Sequence, residues 1–521
     1  MSHRLSPIDA AFLNAETAVT PMHIGGLLVF RQTPEVKGRP GLDALFETVR
    51  SRLPLIPRCR QVLVPVPFGL GLPVWADAAR FEIRRHLRRI RLAQPGGRDQ
   101  LMEMAAKLHS RHLDRSRPLW EMYLIDGVAD DRVAVYAKLH HAMADGISAV
   151  ELGLVLLDLD PNGELAPSVP DPPPPQPAPS PLSLLAATPR EAAGGAAAML
   201  RRAAEPLPWP VGSADSRALN GGPARRLAAP RTMAFDVAAV AARGTAAGFG
   251  AALSLRDLGS VMRPAPSSPF NRRVGRSRRV EAVQLPLGGA KLIKERLGGT
   301  VNDVVLAVTA EALHAYLEHR GEITTGVSYR VMVPISLRAD TDRMKLEGRL
   351  ERQLDVSNRI IGTFVDLPVG PMDVMRRYWA VKQLMSKAKG GQADAAGRFM
   401  DVASLSPAAV QRAAIRAGLS NQRLVNLVIS NVPGVQMPLY AGGSRLLEVY
   451  PTLPLTPNTG LIICVLSYDN NLHFGIVADP NLLPDIDILP AGLARAFERL
   501  RKAAGRGSRS KGPQERELAS V

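Results

Sequence analysis

Residues 138–146 run Lys138-Leu139-His140-His141-Ala142-Met143-Ala144-Asp145-Gly146, and the reading of this stretch decides both fold class and chemistry. Upstream, Val133, Val135, Ala137 and Leu139 alternate with Arg132, Ala134, Tyr136 and Lys138, the period-two pattern of a half-buried strand. Downstream, the apolar segment from Ile147 to Leu157 is expected to form a buried helix. The two histidines therefore sit on a strand-to-helix turn, a place from which side chains project into a cleft. Imidazole is the side chain whose ordinary pKa lies closest to working pH, so a neutral histidine takes a proton from a hydroxyl or amine and later returns it. That chemistry suits attack on a thioester. Asp145, four residues past His141, either fixes the histidine's tautomer or is a structural anion paired with a distant arginine, and the spacing leaves both open. A lone histidine would be read as an ordinary core or surface side chain; the whole HHxxxDG string reverses that preference.

The 521-residue chain has material for two or three domains. With 46% hydrophobic and 22% charged residues its composition is that of a globular protein. No uninterrupted apolar run is long enough to span a bilayer, since the Ala-rich stretch from Met233 to Leu255 is broken by Asp236 and Arg243. The start, Met1-Ser2-His3-Arg4-Leu5-Ser6-Pro7-Ile8-Asp9, has no signal-peptide core. A cytoplasmic protein without a membrane span is expected. Cys59 and Cys464 lie far apart with no C-x-x-C, which excludes a disulfide framework and a thiolate metal cluster. Cys464 lies in the run Leu461–Leu466 and is assigned to packing rather than to a thioester-forming nucleophile.

The net charge of +17 points to an anionic partner or to an arginine-rich proteome. Basic clusters fall at Arg84–Arg91, at Arg272–Arg279 and after Arg499. No nucleic-acid motif accompanies them, and with aromatics at 5% stacking platforms are scarce. No nucleic-acid partner is expected; anionic lipid or coenzyme A phosphates fit the charge better.

The clearest seam is the proline-rich run Pro161–Pro181, an extended surface spacer. It divides the chain into an N-terminal lobe (1–160) carrying HHxxxDG, a proline/alanine-rich crossover (161–269), a C-terminal lobe (270–504) and a basic tail (505–521). Strands are expected at Ile24–Phe30, Val280–Leu285, Ser328–Val333, Arg359–Val365, Leu424–Ser430 and Leu461–Tyr468. Helices are expected at Gly41–Leu53, Asp99–Leu113, Val301–Arg320 and Ile486–Ala504. This is an α/β or α+β arrangement in two lobes.

Other motifs carry weaker signals. Trp120, in Arg117-Pro118-Leu119-Trp120-Glu121, fits a core anchor better than a substrate contact. Asn302-Asp303, after the pair Gly298-Gly299, is a natural helix cap. Arg338, in Pro334-Ile335-Ser336-Leu337-Arg338, is a candidate partner for Asp145. Ser430-Asn431-Val432-Pro433-Gly434 reads as a loop. No G-x-S-x-G elbow, H-E-x-x-H helix, phosphate loop or dinucleotide turn is present.

Taken together, these residues resemble the bacterial wax ester synthase/diacylglycerol acyltransferases. The similarity rests on HHxxxDG, on Leu5–Leu13 through Pro21-Met22-His23-Ile24-Gly25-Gly26, and on Pro73-Val74-Trp75 and Pro118-Leu119-Trp120. Pro269-Phe270-Asn271 with Arg278-Arg279, Asn302–Ala307 and Pro334–Arg338 extend it. It runs from residue 5 to about residue 495, outside the crossover and tail. HHxxxDG alone is shared with the wider coenzyme A-dependent acyltransferase and condensation superfamily. The resemblance implies two similar lobes of the chloramphenicol acetyltransferase-like type with a tunnel between them. It implies transfer of a long-chain acyl group from acyl-coenzyme A to diacylglycerol, to a long-chain alcohol, or to both, with no cofactor beyond the thioester substrate. It also implies peripheral contact with the inner face of the membrane or with lipid droplets, through basic patches and segments such as Leu253–Met262. Carried over by position, His141 is the general base, His140 supports it, Asp145 is structural and Gly146 permits the tight turn. Trp120, Asn302, Asp303 and Arg338 shape the substrate site. One departure is Val356-Ser357-Asn358-Arg359, where serine stands in place of the family's usual glycine before asparagine. The competing readings are an acyltransferase of the same superfamily with another acceptor and a non-catalytic lipid-droplet protein.

Overall fold

The computed structural model describes residues 3–32, 35–36, 39–161, 174–187, 264–336, 360–388 and 424–506. The expectations for Arg338, Val356–Arg359, Leu253–Met262, most of the crossover and the end of the tail lie outside these residues.

Two six-stranded mixed sheets organise the molecule, as the α/β expectation requires. The first contains β1 (His23–Arg31), β2 (Leu87–Arg91), β3 (Trp120–Val128) and β4 (Arg132–His140). The second contains β5 (Arg279–Pro286), β6 (Ser328–Ser336), β7 (Ile360–Pro368) and β8 (Leu427–Val432). Four further strands complete the two sheets: β9 (Tyr440–Ala441), β10 (Ser444–Thr452), β11 (Leu461–Tyr468) and β12 (Asn471–Ala478). The first sheet has the order β9-β10-β1-β4-β3-β2 and the second β5-β12-β11-β8-β6-β7.

The sheets do not follow the division of the chain into halves. Strands β9 and β10 come from the C-terminal half, yet β10 pairs antiparallel with β1, Tyr450 opposite Leu27 and Thr452 opposite Gly25. The crossing strand lies so close to the second sheet that a Cβ on Gly475 would fall 1.8 Å from the Pro451 carbonyl oxygen. Only glycine leaves room there.

The sheets are flanked by helices α1 (Pro7–Ala15), α2 (Gly41–Arg52), α3 (Arg98–Ser110), α4 (Gly146–Leu156), α5 (Leu287–Leu297), α6 (Val301–His319) and α7 (Ile488–Arg506). Helices α5, α6 and α7 cover one face of the second sheet in a core that includes Val305, Leu313, Ile463, Phe474 and Leu493. A second core lies under α2 and α4 against the first sheet. A third joins the lobes: Leu101 and Ala105 of α3 and Leu27 and Ile125 of the first sheet meet Val280, Val428, Ile462 and Val477 of the second. The lobes thus share buried apolar surface, worth roughly 25 cal/mol per Å² removed from water, and their junction is held in place by it.

Candidate active site

Strand β4 ends at His140, and a turn begins at once. The Met143 N–H donates to the His140 carbonyl at 2.8 Å, and the His141 N–H to the Met22 carbonyl at 2.8 Å. The turn leads into α4, whose N-cap is Asp145: its Oδ1 accepts the Ser148 N–H at 2.8 Å. Asp145 is fully buried, so its carboxylate satisfies an amide at the start of α4 that water cannot reach. Its expected partner, Arg338, lies outside the described residues. Gly146 has a different role from the one expected. Its φ is not positive, so the turn does not need glycine for its dihedrals. Instead a Cβ there would lie 3.0 Å from Val432 Cγ2, at the end of β8. Gly146 marks where the two lobes touch.

The two histidines have divergent surroundings. His140 is fully buried; its Nε2 lies 2.7 Å from Glu16 Oε2, and its Nδ1 accepts the Ala142 N–H at 3.0 Å. The Glu16 side chain also receives Arg115 Nη2 at 2.8 Å. Burial alone would raise the Glu16 pKa, but the hydrogen bonds and charges of His140 and Arg115 outweigh it and bring it down to about 2. Burial pushes the His140 pKa below its ordinary value, against the pull of Glu16. His141, 7% exposed, stacks flat on Phe12, with ring centroids 3.8 Å apart and an interplanar angle of 4°. Phe12 and Glu16 are one helical turn apart, so the end of α1 touches both histidines at once.

At the end of β8 stands the start of α6. The N-cap here is Thr300, where the sequence suggested the Asn302-Asp303 pair. Thr300 Oγ1 accepts the Asp303 N–H at 3.2 Å and Asp303 Oδ2 accepts the Thr300 N–H at 2.7 Å, a reciprocal capping box. Asp303 is thereby committed to the helix start. Asn302 is half-buried, and its Oδ1 accepts from Asn431 Nδ2 at 3.3 Å. Since Asn431 precedes the Val432 that meets Gly146, three motifs far apart in sequence converge at the lobe junction: HHxxxDG, Asn302-Asp303 and the end of β8.

Trp120 is placed as a core residue. It is 7% exposed, its indole N–H donates to the Cys59 carbonyl at 2.8 Å, and its ring stacks on His86 with centroids 4.7 Å apart. Lys138 is also buried: its Nζ donates to the Leu108 and Arg111 carbonyls at 3.0 and 2.6 Å and lies 3.4 Å from Glu121. Burial brings its pKa down to about 8. The basic cluster at Arg84–Arg91 is largely paired, with Arg85 to Glu82, Arg88 to Glu121 and Arg89 to Asp126. That part of the positive charge is answered within the protein.

Sequence reasoning gave no site role to Glu16, Phe12, His23 or Asn431, and it put Asn431 in a loop where the structure has it in β8. For Glu16 a signal existed: a carboxylate at a helix C-terminus opposes the macrodipole and therefore calls for a cation, which Arg115 supplies while also donating to the Leu13 carbonyl at 3.0 Å. His23 lies opposite His140 in the β1–β4 register, information that only strand pairing provides.

Known proteins share this outline. A family model described as the wax ester synthase/diacylglycerol acyltransferase catalytic domain matches residues 5–305, and one for that family's C-terminal domain matches residues 356–501. A probable diacylglycerol O-acyltransferase of Mycobacterium tuberculosis is 31% identical over 503 residues, covering 96% of each chain. Among solved structures, the wax ester synthase/diacylglycerol acyltransferase from Marinobacter aquaeolei VT8 superposes with a TM-score of 0.62 at 23% identity, covering 96% of this chain and all of that one. The first condensation domain of the calcium-dependent antibiotic synthetase superposes at 0.54 with 14% identity, covering 97% of this chain and 96% of that one. Both likenesses speak for the fold.

Proposed function

Because this chain belongs to the wax ester synthase/diacylglycerol acyltransferase family, we propose that His141 is the general base of its acyl transfer. The enzyme is an acyltransferase that uses acyl-coenzyme A to acylate the hydroxyl of diacylglycerol or a long-chain alcohol. His141 takes the hydroxyl proton as the oxygen attacks the thioester carbonyl. The tetrahedral oxyanion collapses, the C–S bond breaks, and the coenzyme A thiolate takes the proton back from the imidazolium. Every bond and proton is accounted for without a further cofactor.

One observation carries the choice between the two histidines: both ring nitrogens of His140 are engaged, with Glu16 and with the Ala142 N–H. The base role falls to its neighbour at the lobe junction. A positioned base contributes typically ~10²–10⁴-fold, with proximity and oxyanion stabilisation supplying the remainder. The test is thiol release from palmitoyl-coenzyme A, with dioleoylglycerol or hexadecanol as acceptor and the lipid product identified. Acceptor-dependent release that His141→Ala loses supports the reading, and unaltered release in that variant refutes it.

Peripheral contact with a membrane or lipid droplet completes the proposal. No helix among the described residues is long and apolar enough to cross a membrane, while the acceptors are lipids. The loop at Phe68 offers an apolar surface: Phe68 is 89% exposed and Leu70 56%. Phe68 also holds a left-handed φ of 56°, uncommon for a bulky side chain. Phe68→Asp is expected to weaken co-sedimentation with dioleoylglycerol-containing phosphatidylcholine vesicles. Unchanged co-sedimentation would remove this loop from the contact.

A further inference from the structure

The end of α1 holds one element of the site that the base assignment leaves unused. Glu16 is a carboxylate whose side chain is 7% exposed, set where the helix dipole disfavours it. Three cation-capable groups converge on it: Arg115 at 2.8 Å, His140 at 2.7 Å and His112 at 3.7 Å. Arg115 ties the same carboxylate to the Leu13 carbonyl, and His112 Nε2 donates to the Thr17 carbonyl at 2.8 Å. The carboxylate is therefore held on both oxygens: Arg115 donates to Oε2, the oxygen His140 also meets, and His112 approaches Oε1.

The partners of His140 assign its protons. Its Nδ1 accepts the Ala142 N–H and so carries no proton. Its Nε2 faces an ionised carboxylate and so carries one. This neutral tautomer is the only state that satisfies both contacts: the other would set two donors against each other at Ala142 and leave a lone pair facing a carboxylate, and the imidazolium would also meet the Ala142 N–H donor to donor. The Ala142 N–H belongs to the turn that presents His141, the same turn closed by Met143 N–H on the His140 carbonyl. Shifting the tautomer disturbs the backbone immediately after the base.

We infer that Glu16 is a positioning residue for the acyl transfer: it selects the His140 tautomer, which anchors the Ala142 N–H and thereby sets the place of His141. The inference rests on His141 being the base. It assigns Glu16 no contact with substrate. Phe12, one turn earlier, acts on His141 by stacking, so α1 steadies the two histidines by separate contacts.

The experiment measures kcat and KM for palmitoyl-coenzyme A and dioleoylglycerol in Glu16→Ala, Glu16→Gln, His140→Asn and Glu16→Ala/His140→Asn, with His141→Ala alongside and melting temperatures for all. A misplacement of about 1 Å costs ~10²-fold, so Glu16→Ala is expected to lose roughly that much in kcat while both KM values stay within about threefold. Glu16→Gln, whose amide oxygen still accepts the Nε2–H, is expected to recover most of the rate. In the His140→Asn background Glu16→Ala should cost little more, because the path through His140 is already cut. Wild-type kcat in Glu16→Ala overturns the inference, as does full additivity with His140→Asn. Equal losses in Glu16→Ala and Glu16→Gln that track a lowered melting temperature also overturn it, by assigning Glu16 to folding. Should Glu16→Ala fail to fold, Glu16→Gln and His140→Asn still decide the matter. Turnover persisting in His141→Ala refutes the base assignment instead, whatever Glu16 does.

Discussion

Two helix starts meet the end of β8 at the junction of the lobes, α4 at Val432 and α6 at Asn431, and they solve the same local problem with different consequences. At α4 the buried carboxylate of Asp145 caps the Ser148 amide; at α6 the buried carboxylate of Asp303 closes a capping box with Thr300. What precedes each helix differs. Before α4 stands a pair of histidines held by α1. Before α6 stands the turn Gly298-Gly299, both residues with positive φ, which the Tyr378 hydroxyl clamps at 2.5 Å and Lys382 Nζ at 3.1 Å through the Gly298 and Leu297 carbonyls. The likeness of the lobes is thus one of backbone. With His141 proposed as the base, the chemistry lies at one helix start, while the other brings Asn302 to Asn431.

Acid is expected to produce the largest effect and to strike mainly the histidine-bearing lobe. Burial lowers the pKa of His23 well below its ordinary value, of His140 below it, and of His109 to about 3; in the second sheet burial brings His473 to about 4. The folded protein holds these rings neutral, whereas the unfolded chain binds protons as pH falls through 6.5. Their contribution to stability is complete above pH 6.5 and is lost progressively as pH falls below it, for His109 and His473 toward folded values of about 3 and about 4. Glu16 adds a lower window, with stability present above 4.5 and lost as pH falls toward about 2. Melting temperature should therefore decline from mildly acid pH downward. His473→Leu tests the second sheet's share, which is on the order of 3 kcal/mol at most. A pH slope unchanged by that substitution would show that His473 titrates normally.

The two caps offer the next contrast. Asp145→Ala and Thr300→Ala should each destabilise by ~1–2 kcal/mol, the usual cost of losing an N-cap. Activity should separate them: Asp145→Ala loosens the helix start that ends the histidine turn and should cost at least about tenfold in kcat, while Thr300→Ala should leave kcat within about twofold. Equal losses per unit of lost stability would erase the distinction between chemistry and scaffold. The smallest effect is expected where the lobes touch. Gly146→Ala sets a methyl 3.0 Å from Val432 Cγ2 and should cost about 1 kcal/mol by overpacking. Val432→Ala should restore most of that loss, and a melting temperature indifferent to the pair would mean that the junction yields freely.

Much of the fold was legible in the sequence because its strands and helices obey local periodicity. The strand expected at Leu461–Tyr468 is found with those limits, and the helix expected at Val301–Arg320 is found at Val301–His319. The assignment of Ser444–Thr452 to the first sheet was not legible. Its partners in β1 lie more than 400 residues away in sequence, and Pro451 within the strand weakens any local signal. The site shows the same split. His140, His141, Asp145 and Gly146 announce themselves as a string, yet what holds the His140 ring is Glu16, a contact made across 124 residues. Gly146 was legible as important and not for its reason: the steric demand comes from Val432, a residue of the other sheet. Trp120 shows the reverse: its motif read as a core anchor, its indole is bonded to Cys59 in the core, and only the resemblance put it at the substrate site.

The central claim is that one helix start carries the chemistry through His141. It is tested most directly by comparing acceptor-dependent thiol release in His141→Ala and Thr300→Ala with that of the unaltered enzyme, under one set of conditions with folding checked by melting temperature. The account predicts a loss of ~10²–10⁴-fold for His141→Ala and less than about twofold for Thr300→Ala. A folded His141→Ala protein that releases thiol at the unaltered rate would contradict it.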